Sequence, residues 1–179
     1  MRSVVSALLT AAAALASLPA SAQSTGARMA MYLNGSALDG MIEFSFERDG
    51  CTGHLAMTQR YQAGDVRSTR TEFQVTDLVL DDYQIAEAEG GVLAQIMLDH
   101  RAGSEGFPFS STLVTDNAET RAGWESQGAV CEDNSCSISL EMENATLVVA
   151  GPNAGSRADF VLADLRALQS ECASSEEGE

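Results

Sequence analysis

Apolar and polar positions alternate most regularly between Gly40 and Tyr61. Ile42, Phe44 and Phe46 are separated by Glu43, Ser45 and Glu47, the period of a half-buried strand. Asp49-Gly50 follows, a pair suited to a tight hairpin turn with positive φ at its centre. A turn centred there pairs Phe46 with Gly53, Phe44 with Leu55 and Ile42 with Met57 on the inward face. Glu47, Ser45 and Glu43 then meet Thr52, His54 and Ala56 on the outward face. A one-residue slip would scramble both faces. Cys51 is expected on the inward face, just past the turn.

The same period continues elsewhere. Met29 to Leu33 predicts a short strand, closed by Asn34-Gly35, after a disordered start from Gln23 to Ala27. Val66 to Val75 alternates with Thr71, Phe73 and Val75 inward. Leu78 to Leu80 and Tyr83 to Ala86 predict two strands broken by Asp81-Asp82, and Gly90-Gly91 separates them from the apolar run Val92 to Leu98. Ser110 to Val114, Ser137 to Met142 and Ala145 to Val149 complete the strand set. Between Thr115 and Gly128 the pattern gives no element beyond a helical turn capped by Asp116. The ending differs in kind. Val161, Leu165, Leu168 and Cys172 are spaced as one face of a helix, with Ser156 as its cap. The expected fold is all-β, predominantly antiparallel, barrel-like or strongly curved, with one C-terminal α-helix.

The chain's ends set its compartment. Arg2, the apolar run Val4 to Leu18 and the small-residue site Ala20-Ser21-Ala22 form the pattern of a secretory signal peptide over residues 1–22. The run is short and rich in alanine, which disfavours a membrane span. The mature protein is expected to be periplasmic or secreted, with a single β-rich domain over residues 23–173 and a disordered acidic tail over residues 174–179. It would carry nine arginines, no lysine and 26 acidic residues, a net charge of −17. That charge argues against nucleic acid as a partner.

Four cysteines in an exported chain of this size predict two disulfides. Of three connectivities, the expected one joins Cys131 to Cys136 across a short loop and Cys51 to Cys172. Closing the long loop would stabilise by about 5 kcal/mol and the short one by about 2 kcal/mol in the chain-entropy model.

No catalytic constellation emerges, and neither a cofactor nor a metal site is expected. His54 with Met57, and Met97 with His100, mirror each other as copper-type ligand pairs. Residues three apart on a strand, however, point to opposite faces. Asp81-Asp82, Glu87 with Glu89, and Glu132-Asp133-Asn134 lack calcium-loop spacing. Gly103-Ser104-Glu105-Gly106 lacks the order of a hydrolase nucleophile elbow. Arg60, Arg67 and Arg70 gather around one turn and are the candidate receivers of a carboxylate or phosphate, or else partners for Glu43 and Glu72.

The run Gly40-Met41-Ile42-Glu43-Phe44-Ser45-Phe46, then Asp49-Gly50-Cys51-Thr52-Gly53-His54 and Gln59-Arg60, resembles the opening of the alphaproteobacterial envelope integrity protein B family. The resemblance covers about 20 residues. It implies export, a spiral β-sheet, a disulfide from this early cysteine to one near the C-terminus, and a non-enzymatic envelope role with a protein partner. The chain departs from the family in its shorter length, its extra Cys131–Cys136 pair and its helical ending. Three function classes follow in order: a structural or protein-interaction role, then a binding module for a small apolar or lipid-like ligand, and third an enzyme, which would have to use residues the sequence does not single out. A curved sheet closed by a helix can enclose an apolar cavity, and Met57, Met97 and Met142 would give it an adaptable lining.

Overall fold

The computed structural model describes residues 20–88, 91–101, 103 and 106–176. Residues 1–19, Glu89 and Gly90, Ala102, Ser104 and Glu105, and the last three residues lie outside the described residues, and with them most of the segment expected to be a signal peptide. The element order is α1 (Ala20–Leu33), β1 (Gly35–Ala37), β2 (Ile42–Asp49), β3 (Thr52–Arg60), β4 (Val66–Gln74), β5 (Leu78–Ala88), β6 (Gly91–His100), β7 (Phe107–Val114), α2 (Ala118–Glu125), β8 (Val130–Glu132), β9 (Ser135–Met142), β10 (Asn144–Ala150) and α3 (Ala154–Glu176).

Among the described residues the strands form two antiparallel sheets. One has seven strands in the order β1-β2-β3-β4-β7-β9-β8, the other three in the order β10-β6-β5. They do not close into a barrel. The chain passes between them three times, from β4 to β5, from β6 to β7 and from β9 to β10, and two of these crossings are tight corners. From β4 to β5 it makes a 3₁₀ turn at Val75–Asp77, and from β9 to β10 only Glu143 intervenes. Corners of this kind let strands of one sheet continue into the other and turn the whole surface into a curl.

The curl is filled from inside by helices. Val161, Leu165, Leu168 and Cys172 of α3 are all buried, as their spacing predicts, and Ala154, Ala158 and Leu162 extend the stripe. They share one core with Ala94, Ile96 and Leu98 of β6, with Leu147 and Val149 of β10, and with Phe46 and Phe73 of the larger sheet. Each fully buried leucine contributes about 1.5–3 kcal/mol relative to exposure. Gln169 donates from Nε2 to the carbonyls of Val75 (3.0 Å) and Leu78 (2.8 Å), which holds α3 on the β4–β5 corner. The Cys51–Cys172 disulfide ties the far end of α3 to the β2–β3 turn, and Cys131–Cys136 clasps the β8–β9 hairpin at directly opposed positions.

Several expectations need correction. The hairpin turn is formed by Gly50 and Cys51, with Asp49 facing Thr52, so Phe46 meets Leu55, Phe44 meets Met57 and Ile42 meets Gln59. Gly50 alone of the turn residues takes positive φ (57°), the requirement of a turn with glycine first. The register moves by two residues, which keeps every side chain on its predicted face but puts Cys51 in the turn. Residues 23 to 33 are helical, not disordered and then extended. Met29 and Leu33 lie one helical turn apart and are buried against the core, which decides between two periods that the short segment fits equally. Arg28 adds an ion pair with the buried Asp164 of α3, its Nε donating to Oδ2 at 2.7 Å and its Nη2 to Oδ1.

Leu78 to Ala88 is one strand, and Asp81-Asp82 are absorbed as a bulge between Leu80 and Tyr83. Helix α2 fills part of the stretch the pattern left open. Its cap is Asn117, which accepts from the amides of Glu119 and Thr120, not Asp116. Helix α3 begins at Ala154, two residues before the expected cap Ser156, and runs to Glu176 into the segment expected to be a disordered tail.

Candidate functional site

The inward face of the seven-stranded sheet is not covered along its whole length. One end, with Phe46 and Phe73, packs under α1, α3 and the smaller sheet. At the other end Arg67 lies 5.6 Å from the centre of the Trp124 ring of α2. Between them a groove of about 230 Å³ remains. Its floor is Phe44 of β2, Leu55 and Met57 of β3, Thr69 and Thr71 of β4, and Phe109 of β7. Strand alternation brings these side chains to one face, because their register partners stand at matching positions. Leu33 at the end of α1 and Met142 at the end of β9 flank it, and Asn144, Ala145, Thr146 and Val148 of β10 form its wall. None of the lining residues carries a charge. Asn34 fixes the end of α1 to β2: its backbone amide donates to the Ala30 carbonyl at 2.8 Å, and its Oδ1 accepts from the Phe46 amide at 2.6 Å.

Two of the three methionines expected on an inner surface, Met57 and Met142, line this groove. Met97 does not; it accepts a 3.3 Å hydrogen bond from Oγ1 of Thr146, its register partner on β10. Leu33, Phe109 and Val148 are not among the sequence candidates, since three separate elements, α1, β7 and β10, must meet before they share a surface.

The arginine candidates are parted by the sheet. Arg60 and Arg70 lie on the outward face, and Arg67 on the inward face. Arg60 pairs with Glu43 at 3.0 Å, as the cross-strand alternative anticipated. Arg67 donates from Nε to the buried Ser111 hydroxyl at 3.1 Å. Arg70 is exposed between Ala56 and Ser110. The three guanidinium groups therefore do not converge on one ligand.

His54 faces outward between Glu47 and Glu72, with its Nδ1 3.4 Å from Glu72, while Met57 faces the groove. His100 packs edge-on against Phe107 with ring centroids 5.6 Å apart, on the opposite face of β6 from Met97. Among the described residues no group of three or more His, Cys, Asp or Glu side chains is placed to hold a metal ion. No helix of the described residues is long and apolar enough to cross a membrane. The two disulfides fit an oxidising compartment. Compared with protein families, curated proteins and solved structures, this chain matches none.

Proposed function

We propose that this chain is an exported, non-enzymatic protein of the bacterial cell envelope that acts by binding a protein partner, and that the uncharged groove beside β10 is its contact site. The groove is the observation that carries the reading. It joins an apolar floor to a strand edge, a combination suited to part of another chain. Further support comes from the signal-peptide pattern, from the disulfides and from the resemblance of residues 40–60 to the envelope integrity protein B family.

Volume weighs between the two kinds of ligand. Sites for whole small molecules hold about 300–1,000 Å³. At about 230 Å³ this groove suits two or three side chains of a partner better than a complete lipid. The apolar lining, with Met57 and Met142, keeps a small apolar ligand as the second reading.

The test is affinity purification of the exported protein from its own envelope, with mass spectrometry for proteins and lipids, beside a Val148→Lys variant. A co-purifying protein lost in the variant is expected. A lipid without any protein would turn the assignment to the second reading, and retention of the same partner by the variant would overturn the groove as its site.

A further inference from the structure

The two sheets present four terminal strands, and three of them are blunted in the ways that discourage pairing. β1 and β8 are three residues long, and β8 ends in Glu132 and is clasped by its disulfide. β5 is bulged and carries Asp81, Asp82 and Glu87. β10 has none of these devices in its own residues, although α1 and β1 approach it. It runs for seven residues as Asn-Ala-Thr-Leu-Val-Val-Ala, with no charge, no proline and no register shift against β6. A long uncharged edge is what natural proteins avoid unless a strand is meant to join it.

That edge forms the wall of the groove. Asn144, Ala145, Thr146 and Val148 of this terminal strand line it. We infer that β10 receives an extended segment of a partner protein as an added antiparallel or parallel strand, whose alternate apolar side chains enter the groove over Phe44, Met57 and Phe109. This deepens the protein-binding reading and rests on it. Main-chain hydrogen bonds to β10 supply the pairing, and the groove selects the side chains.

Charge selects the partner's class. The groove is uncharged, but the chain carries a net −16. Two copies repel each other, whereas a segment flanked by lysine or arginine is attracted. The occupant is therefore an apolar-alternating, basic-flanked segment of a different protein, not a second copy of this chain.

The probe is a display library of random seven-residue peptides, selected on the exported protein and followed in parallel with an apolar fluorescent dye. Enrichment of alternating apolar residues with basic flanks is expected, as is hydrogen-exchange protection of residues 144–150 by the selected peptide. N-methylating the amides along one edge of that peptide should weaken binding by about a hundredfold, the loss of roughly three hydrogen bonds, and methylating the other edge should leave it unchanged. Binding indifferent to methylation of either edge, or protection confined to other strands, overturns strand addition while leaving the groove as a binding site. Dye binding without peptide enrichment does the same. A dimer of the protein that Val148→Lys dissociates overturns the choice of partner. If neither dye nor peptide binds, the groove reading and the inference fail together.

Discussion

Gly53→Ala tests the core next to the groove most sharply. Gly53 faces Phe73 across β3 and β4, and its backbone lies outside the positive-φ region. The substitution therefore tests space alone. A Cβ there would stand 2.4 Å from Cζ and 2.5 Å from Cε2 of Phe73, against about 3.5–4.0 Å for comfortable carbon contact. The ring would have to retreat by about 1 Å or more. It is 2% exposed and stacks at 6.5 Å on Phe46, which is equally buried, so retreat displaces a second ring. Overpacking of this kind costs about 1–3 kcal/mol. The gain of about 0.4–1 kcal/mol from stiffening the unfolded chain offsets only part of it. In a domain of this size the midpoint should fall by about 2–4 °C for each kcal/mol lost. Denaturant and thermal unfolding of Gly53→Ala, Phe73→Leu and the double variant form the assay. The double variant should be more stable than the sum of the single costs implies, because the smaller side chain vacates the space. A Gly53→Ala protein as stable as its parent, or strictly additive costs, would refute the argument.

Three further outcomes follow from the same structure. Cys172→Ser should lower stability more than Cys136→Ser, by up to about 5 kcal/mol against about 2 kcal/mol, because the loops closed span 121 and 5 residues; equal denaturation midpoints would contradict this. Burial, and then Asp159 and Asp82, raise the Tyr83 phenol above its ordinary value. Its neutral form is thus favoured by folding, so the stability it adds is complete below the unfolded value near 10 and is lost as pH rises through the folded one. Tyr83→Phe should abolish that alkaline loss, as followed by unfolding at a series of pH values. Intact mass of exported material should show Gln23 as the first residue, and a retained 1–22 segment would count against the signal peptide.

What the sequence disclosed was what is local. The α3 stripe at Val161, Leu165, Leu168 and Cys172 depends on one period within one element, and the structure buries all four. The disulfide pairing was legible because Cys131 and Cys136 are neighbours and leave only one other pair. The hairpin register was not. Turns centred on Asp49-Gly50 and Gly50-Cys51 differ by two residues, and a two-residue shift leaves the hydrophobic faces intact. The segment Met29 to Leu33 fits a strand or a helix equally well, and only packing against α3 and β2 selects the helix. The separation of Arg67 from Arg70 was available from strand alternation, the same rule that parts His54 from Met57. The groove was beyond reach, because Leu33, Phe44, Phe109 and Val148 meet only through the order of strands in two sheets.

The central claim is that the protein works by binding through the groove and not by chemistry at its histidines. Complementation of a deletion strain tests it most directly, with survival in detergent and cell-wall antibiotics as the readout. The strain should be sensitive, and a folded, exported His54→Ala/His100→Ala protein should restore resistance fully. A Val148→Lys protein, exported at the same level and with an unchanged denaturation midpoint, should fail to restore it. Full rescue by Val148→Lys, or loss of rescue by the histidine variant, would contradict the account.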